Sequence, residues 1–360
     1  MWWILLALPV TVYFFWGLKA ISALRQSSLN EGESEKRIPS VTLAIPFRNE
    51  RKNLRRNWEK FDNILQTNST LEIILVDDHS NDGGTEGFPK LINSDRLLIL
   101  KSNGKGKKAA VQCAIERSSS SILVFTDADT ILNLDWLEKM LRPFNNERVK
   151  MVLGPVVYVK ELNFFNSFYS LDFLSLIITT EASVLLGRPV MANGANYAIR
   201  RDTISRLSHD ELLTKEQSGD DVFALHAVVK RYGSGSIFFQ NAKEACVKTF
   251  APTNLKSFLL QRIRWGGKSR YYQDVNAQFL TILVFLTNLS ILLALILNWQ
   301  LALILWLLKQ LVDYPLLRMA GEKYNRSDAM RVYLAQAIIY PFYITLLAIL
   351  SQLIPVKWKP

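Results

Sequence analysis

The sequence predicts an α/β domain with a mostly parallel sheet, carried between transmembrane helices at both ends of the chain. Three observations predict it. From about residue 30 to residue 275, short apolar runs alternate with helix-sized segments, the pattern of βαβ units. Outside that interval the apolar residues merge into long segments, which is where the 49% hydrophobic content is concentrated. Polar residues gather where the short runs end, and ligands of parallel sheets bind beyond the carboxyl ends of the strands.

The first long segment, Trp2 to Ile21, carries one charge, Lys19, near its end. A helix of that length rises about 30 Å, enough to cross the hydrocarbon core. It lacks the basic start and small-residue cleavage site of a signal peptide. Lys19, Arg25, Lys36 and Arg37 follow it, so the positive-inside rule puts the next segment in the cytosol. Ala277 to Leu297 is a second uncharged span, interrupted by Asn298-Trp299-Gln300 before a third stretch that runs to Leu317. Lys309 and Asp313 lie one turn apart in that stretch and can face each other. Arg318 to Arg331 is basic and expected in the cytosol, and Val332 to Pro355, with Pro341 inside, makes a fourth span. Lys357 and Lys359 would then lie outside, a mild violation of the charge rule, and a re-entrant path around Lys309 is the alternative. The divisions are therefore 1–26 (transmembrane helix), 27–40 (polar linker), 41–250 (cytosolic α/β domain), 251–275 (amphipathic interfacial helix) and 276–360 (about three spans).

Within the α/β domain, Val41 to Pro46, Leu71 to Val76, Arg96 to Leu100 and Ile122 to Phe125 read as buried strands. Asn49 to Leu65 and Gly104 to Arg117 supply helices between them. The strand ends carry Phe47-Arg48-Asn49-Glu50, Asp77-Asp78, Gly104-Lys105-Gly106-Lys107 and Asp127-Ala128-Asp129. Two carboxylates at the tip of a strand are costly without a compensating cation, and Mg²⁺ or Mn²⁺ bridges carboxylate to diphosphate. A bare Asp-x-Asp is more often a turn, and the three converging polar ends favour the metal at Asp127 and Asp129. The lysine-rich glycine loop suits phosphate contacts without matching a P-loop or a first-strand dinucleotide loop. Leu162 to Leu186, rich in Phe, Leu and Ile, is either a buried helix or a membrane-surface element.

Asp220-Asp221 precedes an apolar helical pattern and serves either as a helix cap or as a general base. Leu255, Phe258 and Leu259 form the apolar face of a helix that ends in Gln261-Arg262-Ile263-Arg264-Trp265. There a guanidinium can hold diphosphate and an indole can stack on a sugar. The net charge of +11 flanks apolar segments or sits beside carboxylates, which favours membrane lipid and a phosphate-bearing substrate over nucleic acid. Cys113 and Cys246 are too few for a metal framework and are expected as reduced thiols; the histidines, His79, His209 and His226, show no ligand spacing, and His79 goes with the nucleotide-side loop.

Taken in order, Ile45 to Glu50, Val76 to Gly83, Gly104 to Lys107, Asp127 to Asp129, Gly219 to Asp221 and Gln261 to Trp265 resemble family 2 glycosyltransferases of the GT-A fold. The likeness is to the membrane-integrated branch with cellulose, chitin and hyaluronan synthases and ceramide glucosyltransferase, and it spans residues 40 to 270. It implies a nucleotide-sugar donor, UDP-linked, bound by Pro46, Arg48, Glu50, Asp77, Asp78, Lys105, Lys107 and Asp127. It implies a divalent metal at Asp127 and Asp129, Asp221 as catalytic base beside Asp220, and Gln261, Arg264 and Trp265 at the acceptor and diphosphate. Asp220 stands where the family often has Glu, with a shorter reach toward the acceptor. The expected reaction is inverting transfer to a hydroxyl of a lipid, lipid-linked or growing glycan acceptor. A processive synthase, a non-catalytic nucleotide-binding scaffold and a sugar nucleotidyltransferase are the alternatives.

Overall fold

The computed structural model describes residues 2–27, 39–84, 95–207 and 220–354, with backbone only at 2 and 220. Most of the linker, Lys36, Arg37, His209, Gly219, the Asp220 side chain, Lys357 and Lys359 lie outside the described residues. The strands are β1 (Val41–Phe47), β2 (Leu71–Asp77), β3 (Leu97–Lys101), β4 (Ile122–Phe125), β5 (Met151–Leu153), β6 (Val156–Tyr158), β7 (Tyr197–Arg200), β8 (Ile237–Phe239) and β9 (Val247–Thr249). The helices are α1 (Trp2–Ser27), α2 (Arg51–Thr67), α3 (Lys107–Arg117), α4 (Trp136–Leu141), α5 (Phe164–Leu185), α6 (Arg201–Ile204), α7 (Asp220–Tyr232), α8 (Leu255–Gly267), α9 (Val275–Leu297), α10 (Trp299–Lys323) and α11 (Tyr333–Leu353).

The chain divides into two compact units. A sheet unit comprises Gly32–Val157 and Met191–Phe250, and a helical unit comprises Met1–Glu31, Tyr158–Val190 and Ala251–Pro360.

In the sheet unit, seven strands run in the order β3-β2-β1-β4-β7-β5-β8, and a separate pair joins β6 to β9. β1 pairs in parallel with β2 and β4, β2 with β3, and β5 with β8, while β7 is antiparallel to both its neighbours. The α/β expectation holds, and β1, β2, β3 and β4 fall where the apolar runs place them. All seven residues of β1 and all four of β4 are buried, as strands covered on both faces require. Leu54, Phe61, Ile64 and Leu65 recur at helical spacing and form the buried face of α2.

Pro46 looks out of place in a central strand, since it has no N–H to give the ladder. Val41 N–H donates to Thr70 O and Thr126 N–H donates to Ala44 O, so even-numbered residues of β1 face β4. β4 is in register with β1 only as far as Ala44. Pro46 thus sits beyond the last bond it would have made. Successive strands pass from β1 to one side and from β4 to the other, so the sheet's switch point lies at the β1–β4 boundary.

In the helical unit, α1 packs against α9, α10 and α5. A Cβ at Gly17 would fall 2.6 Å from Val312 Cβ, which shows how closely α1 and α10 approach. Among the described residues, five helices are long and apolar enough to cross a membrane: Trp3–Ser27, Phe164–Leu185, Val275–Leu297, Trp299–Lys323 and one spanning Ser327–Leu353. The sequence pattern predicts four of these. The fifth, α5, has 72% of its apolar window buried inside the protein, against 39% or less for the others. Of the two readings of Leu162 to Leu186, the buried helix is the one found.

The buried charged residues described in this unit have partners. Lys309 is buried, contacts Asp313 one turn on, and lies over the rings of Tyr13 and Tyr340, while Tyr13 donates to Asp313 at 2.7 Å. Glu181, fully buried, accepts from Lys323 and from Tyr324. Arg326, from the segment expected as a basic loop, is buried instead and donates to Tyr158 O, Asn166 Oδ1 and Ser170 Oγ. The segment 324–332 is thereby fastened to α5.

Candidate functional site

The polar strand ends of the sheet unit are joined by hydrogen bonds. Asp78 N–H donates to Phe47 O at 2.8 Å, coupling the ends of β2 and β1. Asn49 and His79 both take positive φ, 56° and 58°, and turn the two loops toward each other. Asn49 N–H donates to Ser80 Oγ, Asn81 N–H to Asn49 Oδ1, and Arg51 N–H to Asp82 Oδ2, each at 2.9 Å. Asp77 Oδ1 accepts from Ser80 N–H at 2.8 Å, and Glu50 Oε2 accepts from Asn53 at 2.5 Å. Asp78 is 1% exposed, and its Oδ1 accepts from Gly106 N–H at 2.8 Å. That bond ties β2 to the glycine-rich loop, where Gly106 adopts φ 97°, a conformation that favours glycine, just before α3.

The acidic triplet is held from three directions. On α2, Asn57 donates to Ala128 O at 3.1 Å and to Thr130 O at 2.6 Å, Arg56 to Asp129 O at 3.1 Å, and Lys60 to Leu132 O at 2.7 Å. Burial pushes the Arg56 guanidinium and the Lys60 ammonium down from their ordinary ranges, with Asp129 opposing the shift at Arg56. Thr130 closes the turn by donating N–H and Oγ1 to Asp127 O. Thr126 Oγ1 donates to Ala195 O at 2.9 Å, which brings the segment before β7 alongside. Ala128 is buried, and the carboxylates on either side remain half-exposed.

Lys107, the first residue of α3, reaches Asp127: Nζ lies 2.5 Å from Oδ1. Gly194 forms the far wall. A Cβ built on it would lie 3.2 Å from Lys107 Nζ and 3.4 Å from Asp221 Oδ2, so the ammonium and the second carboxylate flank one patch of bare backbone. Asp129 Oδ2 receives Thr249 Oγ1 at 3.4 Å. The structure thus brings together Asp127, Lys107 and Asp221, with Asp77, Asp78 and Glu50 along the adjoining loops. Lys105 is exposed and Arg48 half-exposed. Gly194 has no motif around it to signal this position, which depends on Thr126 and Asp221, residues distant in sequence.

The donor set for a divalent ion is two carboxylates of one turn. Among the described residues no group of three His, Cys, Asp or Glu side chains converges. Hard ions such as Mg²⁺ are commonly held by one or two carboxylates plus substrate phosphates and water, and Asp127 with Asp129 fits that pattern.

Gln261, Arg264 and Trp265 lie on α8 in the helical unit. Gln261 Oε1 accepts from Tyr158 OH and from Arg262, each at 3.1 Å. Arg264 and Trp265 are half-buried, and the Trp265 ring is tilted against Phe173 at 5.7 Å. The buried charged residue of this segment is Arg262, to which the sequence pattern assigns no role. Its Nε donates to Asp172 Oδ2 at 2.5 Å, and its guanidinium lies 4.4 Å from the Trp265 ring and 4.8 Å from Phe258. Burial works against its charge, and Asp172 more than compensates, holding the guanidinium above its ordinary range.

The sheet unit has the GT-A fold, with an acid-base cluster at its switch point. Residues 42–207, somewhat less than half of the chain, match the model of Glycosyl transferase family 2. It is 25% identical over 169 residues to glycosyltransferase AglE of Haloferax volcanii, covering 46% of this chain and 54% of that one. It is 26% identical over 226 residues to hyaluronan synthase of Streptococcus pyogenes, covering 59% and 52%. Probable glycosyltransferase YdaM of Bacillus subtilis is 24% identical over 249 residues, covering 66% and 57%. The chain spans about half the length of these curated relatives. Among solved structures, the mannosyltransferase PcManGT from Pyrobaculum calidifontis, in complex with GDP-Man and Mn²⁺, shares the fold with a TM-score of 0.59 at 17% identity. That likeness covers 98% of this chain and 99% of the other.

Proposed function

We propose that the chain is a membrane-bound, inverting glycosyltransferase that moves one sugar from a nucleotide-sugar to a hydroxyl of a lipid or lipid-linked acceptor. The observation that carries this is the cluster of Asp127, Lys107 and Asp221 around Gly194, beyond the carboxyl end of β4. It combines a place for diphosphate with a carboxylate able to take a proton. Five long apolar helices support membrane residence, and the charges that follow Trp2–Ile21 support a cytosolic catalytic unit.

In this reading the acceptor oxygen attacks the anomeric carbon as Asp221 takes its proton. The new glycosidic bond forms on the face opposite the leaving oxygen, the old bond breaks, and the nucleoside diphosphate departs with both bonding electrons. Lys107 and the N-terminus of α3 bind the diphosphate. Asp77 and Asp78 contact the nucleoside, with Pro46, Arg48 and Glu50 at the end of β1 and Lys105 in the loop after β3 assigned to the same donor. Asp127 and Asp129 would hold Mg²⁺ or Mn²⁺, whose chemistry there is to offset charge on the diphosphate. Gln261, Arg264 and Trp265 are assigned to acceptor and diphosphate on their chemistry: a guanidinium for phosphate, an indole for a sugar face.

A single transfer is favoured over polymerisation because α5, the fifth apolar helix, is mostly enclosed by its neighbours, which leaves little helical surface to line a polysaccharide channel. The test is a screen of purified protein in detergent against UDP- and GDP-sugars, with and without Mn²⁺, with products weighed by mass spectrometry. One added hexose on a lipid acceptor is the expected product. A ladder of additions would favour a processive synthase. Pyrophosphate release from a nucleoside triphosphate would overturn the reading.

A further inference from the structure

We propose that Asn196 is a positioning residue for sugar transfer: buried behind the site, it anchors the turn that sets the Gly194 backbone beside Asp221 and Lys107. The proposal rests on the donor-and-base reading above and adds to it a residue that touches no substrate.

Asn196 is 0% exposed, and each polar atom of its carboxamide is bonded. Oδ1 accepts from Trp136 Nε1 at 3.0 Å, and Nδ2 donates to Pro155 O at 2.8 Å and to Ala245 O at 2.9 Å. Its backbone oxygen accepts from Gly154 N–H at 2.9 Å. These bonds reach α4, the junction of β5 and β6, and the segment before β9. A carboxamide suits the place because it offers one acceptor to an indole and two donors to two carbonyls, whereas a carboxylate would have no donor for either carbonyl. Gly154 makes the close approach possible, since a Cβ there would fall 2.3 Å from Asn196 Nδ2.

The turn ahead of Asn196 carries Gly194. Asn196 N–H donates to Asn193 O and Ala195 N–H to Asn193 Oδ1, each at 3.0 Å. A second tether comes from buried Thr126, one residue before Asp127, whose Oγ1 donates to Ala195 O at 2.9 Å. Gly194 is thus held between an anchor in the core and an anchor on the strand that bears the acidic triplet. The clearance it leaves is about one methyl, because a Cβ would already lie 3.2 Å from Lys107 Nζ and 3.4 Å from Asp221 Oδ2. In the proposed reaction the diphosphate departs on the lysine side and the acceptor hydroxyl arrives on the carboxylate side. Reacting groups misplaced by about 1 Å can cost about a hundredfold in rate, so the anchor of this turn governs turnover without contacting substrate.

The test gives the full chain in detergent UDP-glucose or GDP-mannose, with diacylglycerol and polyprenyl phosphate as acceptor probes. It counts sugar moved to lipid, sugar released to water, and nucleotide-binding sites by titration. Asn196→Ala and Asn196→Asp are expected to lose about 10–100-fold in transfer per nucleotide-binding site, with nucleotide affinity within about threefold of native. The share of sugar released to water should rise about tenfold, because water needs less exact placement against Asp221 than a lipid hydroxyl does. Neither quantity changes when a variant is merely less stable, since both count only molecules that bind nucleotide. Thr126→Val, which loosens the same turn from its other tether, should shift both in the same direction, and Thr126→Ser should keep native values. If neither Asn196 variant folds, Thr126→Val decides alone. Native transfer per site and a native water share in the folded variants would overturn the inference and leave the donor-and-base reading standing. Nucleotide affinity lost in step with turnover would also overturn it, by placing Asn196 behind donor binding. A native protein that releases sugar from neither donor, to lipid or to water, would overturn both.

Discussion

The two units use charge in opposite ways. In the helical unit, Arg262 and Asp172 are each 6% exposed and neutralise one another, and Lys309 with Asp313 does the same. Those charges are consumed in holding helices together. In the sheet unit, Lys107 and Asp127 are 25% and 34% exposed, and Asp221 stands across Gly194 from the same ammonium. Three charges there share one opening. The contrast separates ion pairs that fix a fold from a cluster that can exchange partners with a ligand.

Substitutions on the two sides should therefore fail differently. Asp221→Asn is expected to cut transfer by about 10²–10⁴-fold while leaving nucleotide affinity and melting temperature near native values. A loss of stability instead would move Asp221 to the structural class. Asp172→Ala is expected to cost about 3–5 kcal/mol in detergent unfolding, because it strands the buried Arg262 guanidinium. Adding Arg262→Met should recover most of that loss, since the pair then disappears together.

The same change at two glycines gives a finer comparison. Gly17→Ala places a methyl 2.6 Å from Val312 Cβ and is expected to lose about 1–3 kcal/mol, outweighing the helix propensity gained. Gly194→Ala meets the tip of a flexible lysine, so its melting temperature should hold while turnover falls about tenfold or more. Equal effects on stability at both positions would erase the distinction between the units.

The smallest effect concerns the thiols. Burial pushes Cys246 up to about 12, so in the folded protein at pH 8 maleimide should label Cys113 and spare Cys246 until denaturant is added. The sign follows from the raised value. Folding keeps Cys246 protonated, so its contribution is intact below pH 9 and is lost as pH rises toward 12.

Local chemistry explains which parts were legible in the sequence. β1, β2 and β4 are short apolar runs, and each ends in a polar group whose cost asks for a ligand, so Asp127 and Asp78 stood out at once. Lys309 and Asp313 were legible because one helical turn separates them. Arg262 was passed over for Arg264 because its partner, Asp172, is 90 residues away and nothing local marks the pair. Arg326 looked like part of a basic loop for the same reason, its partners lying on α5. Gly194 was invisible because a glycine's role is the space it leaves, and that space is set by Lys107 and Asp221.

The central claim is that the Asp127 cluster is the donor site, and isothermal titration of UDP and GDP in the presence of Mn²⁺ tests it most directly. The native protein should bind one of the two, and Asp127→Asn should weaken that binding by about a hundredfold with its melting temperature unchanged. An Asp127→Asn protein that binds the nucleotide as the native one does would contradict the claim.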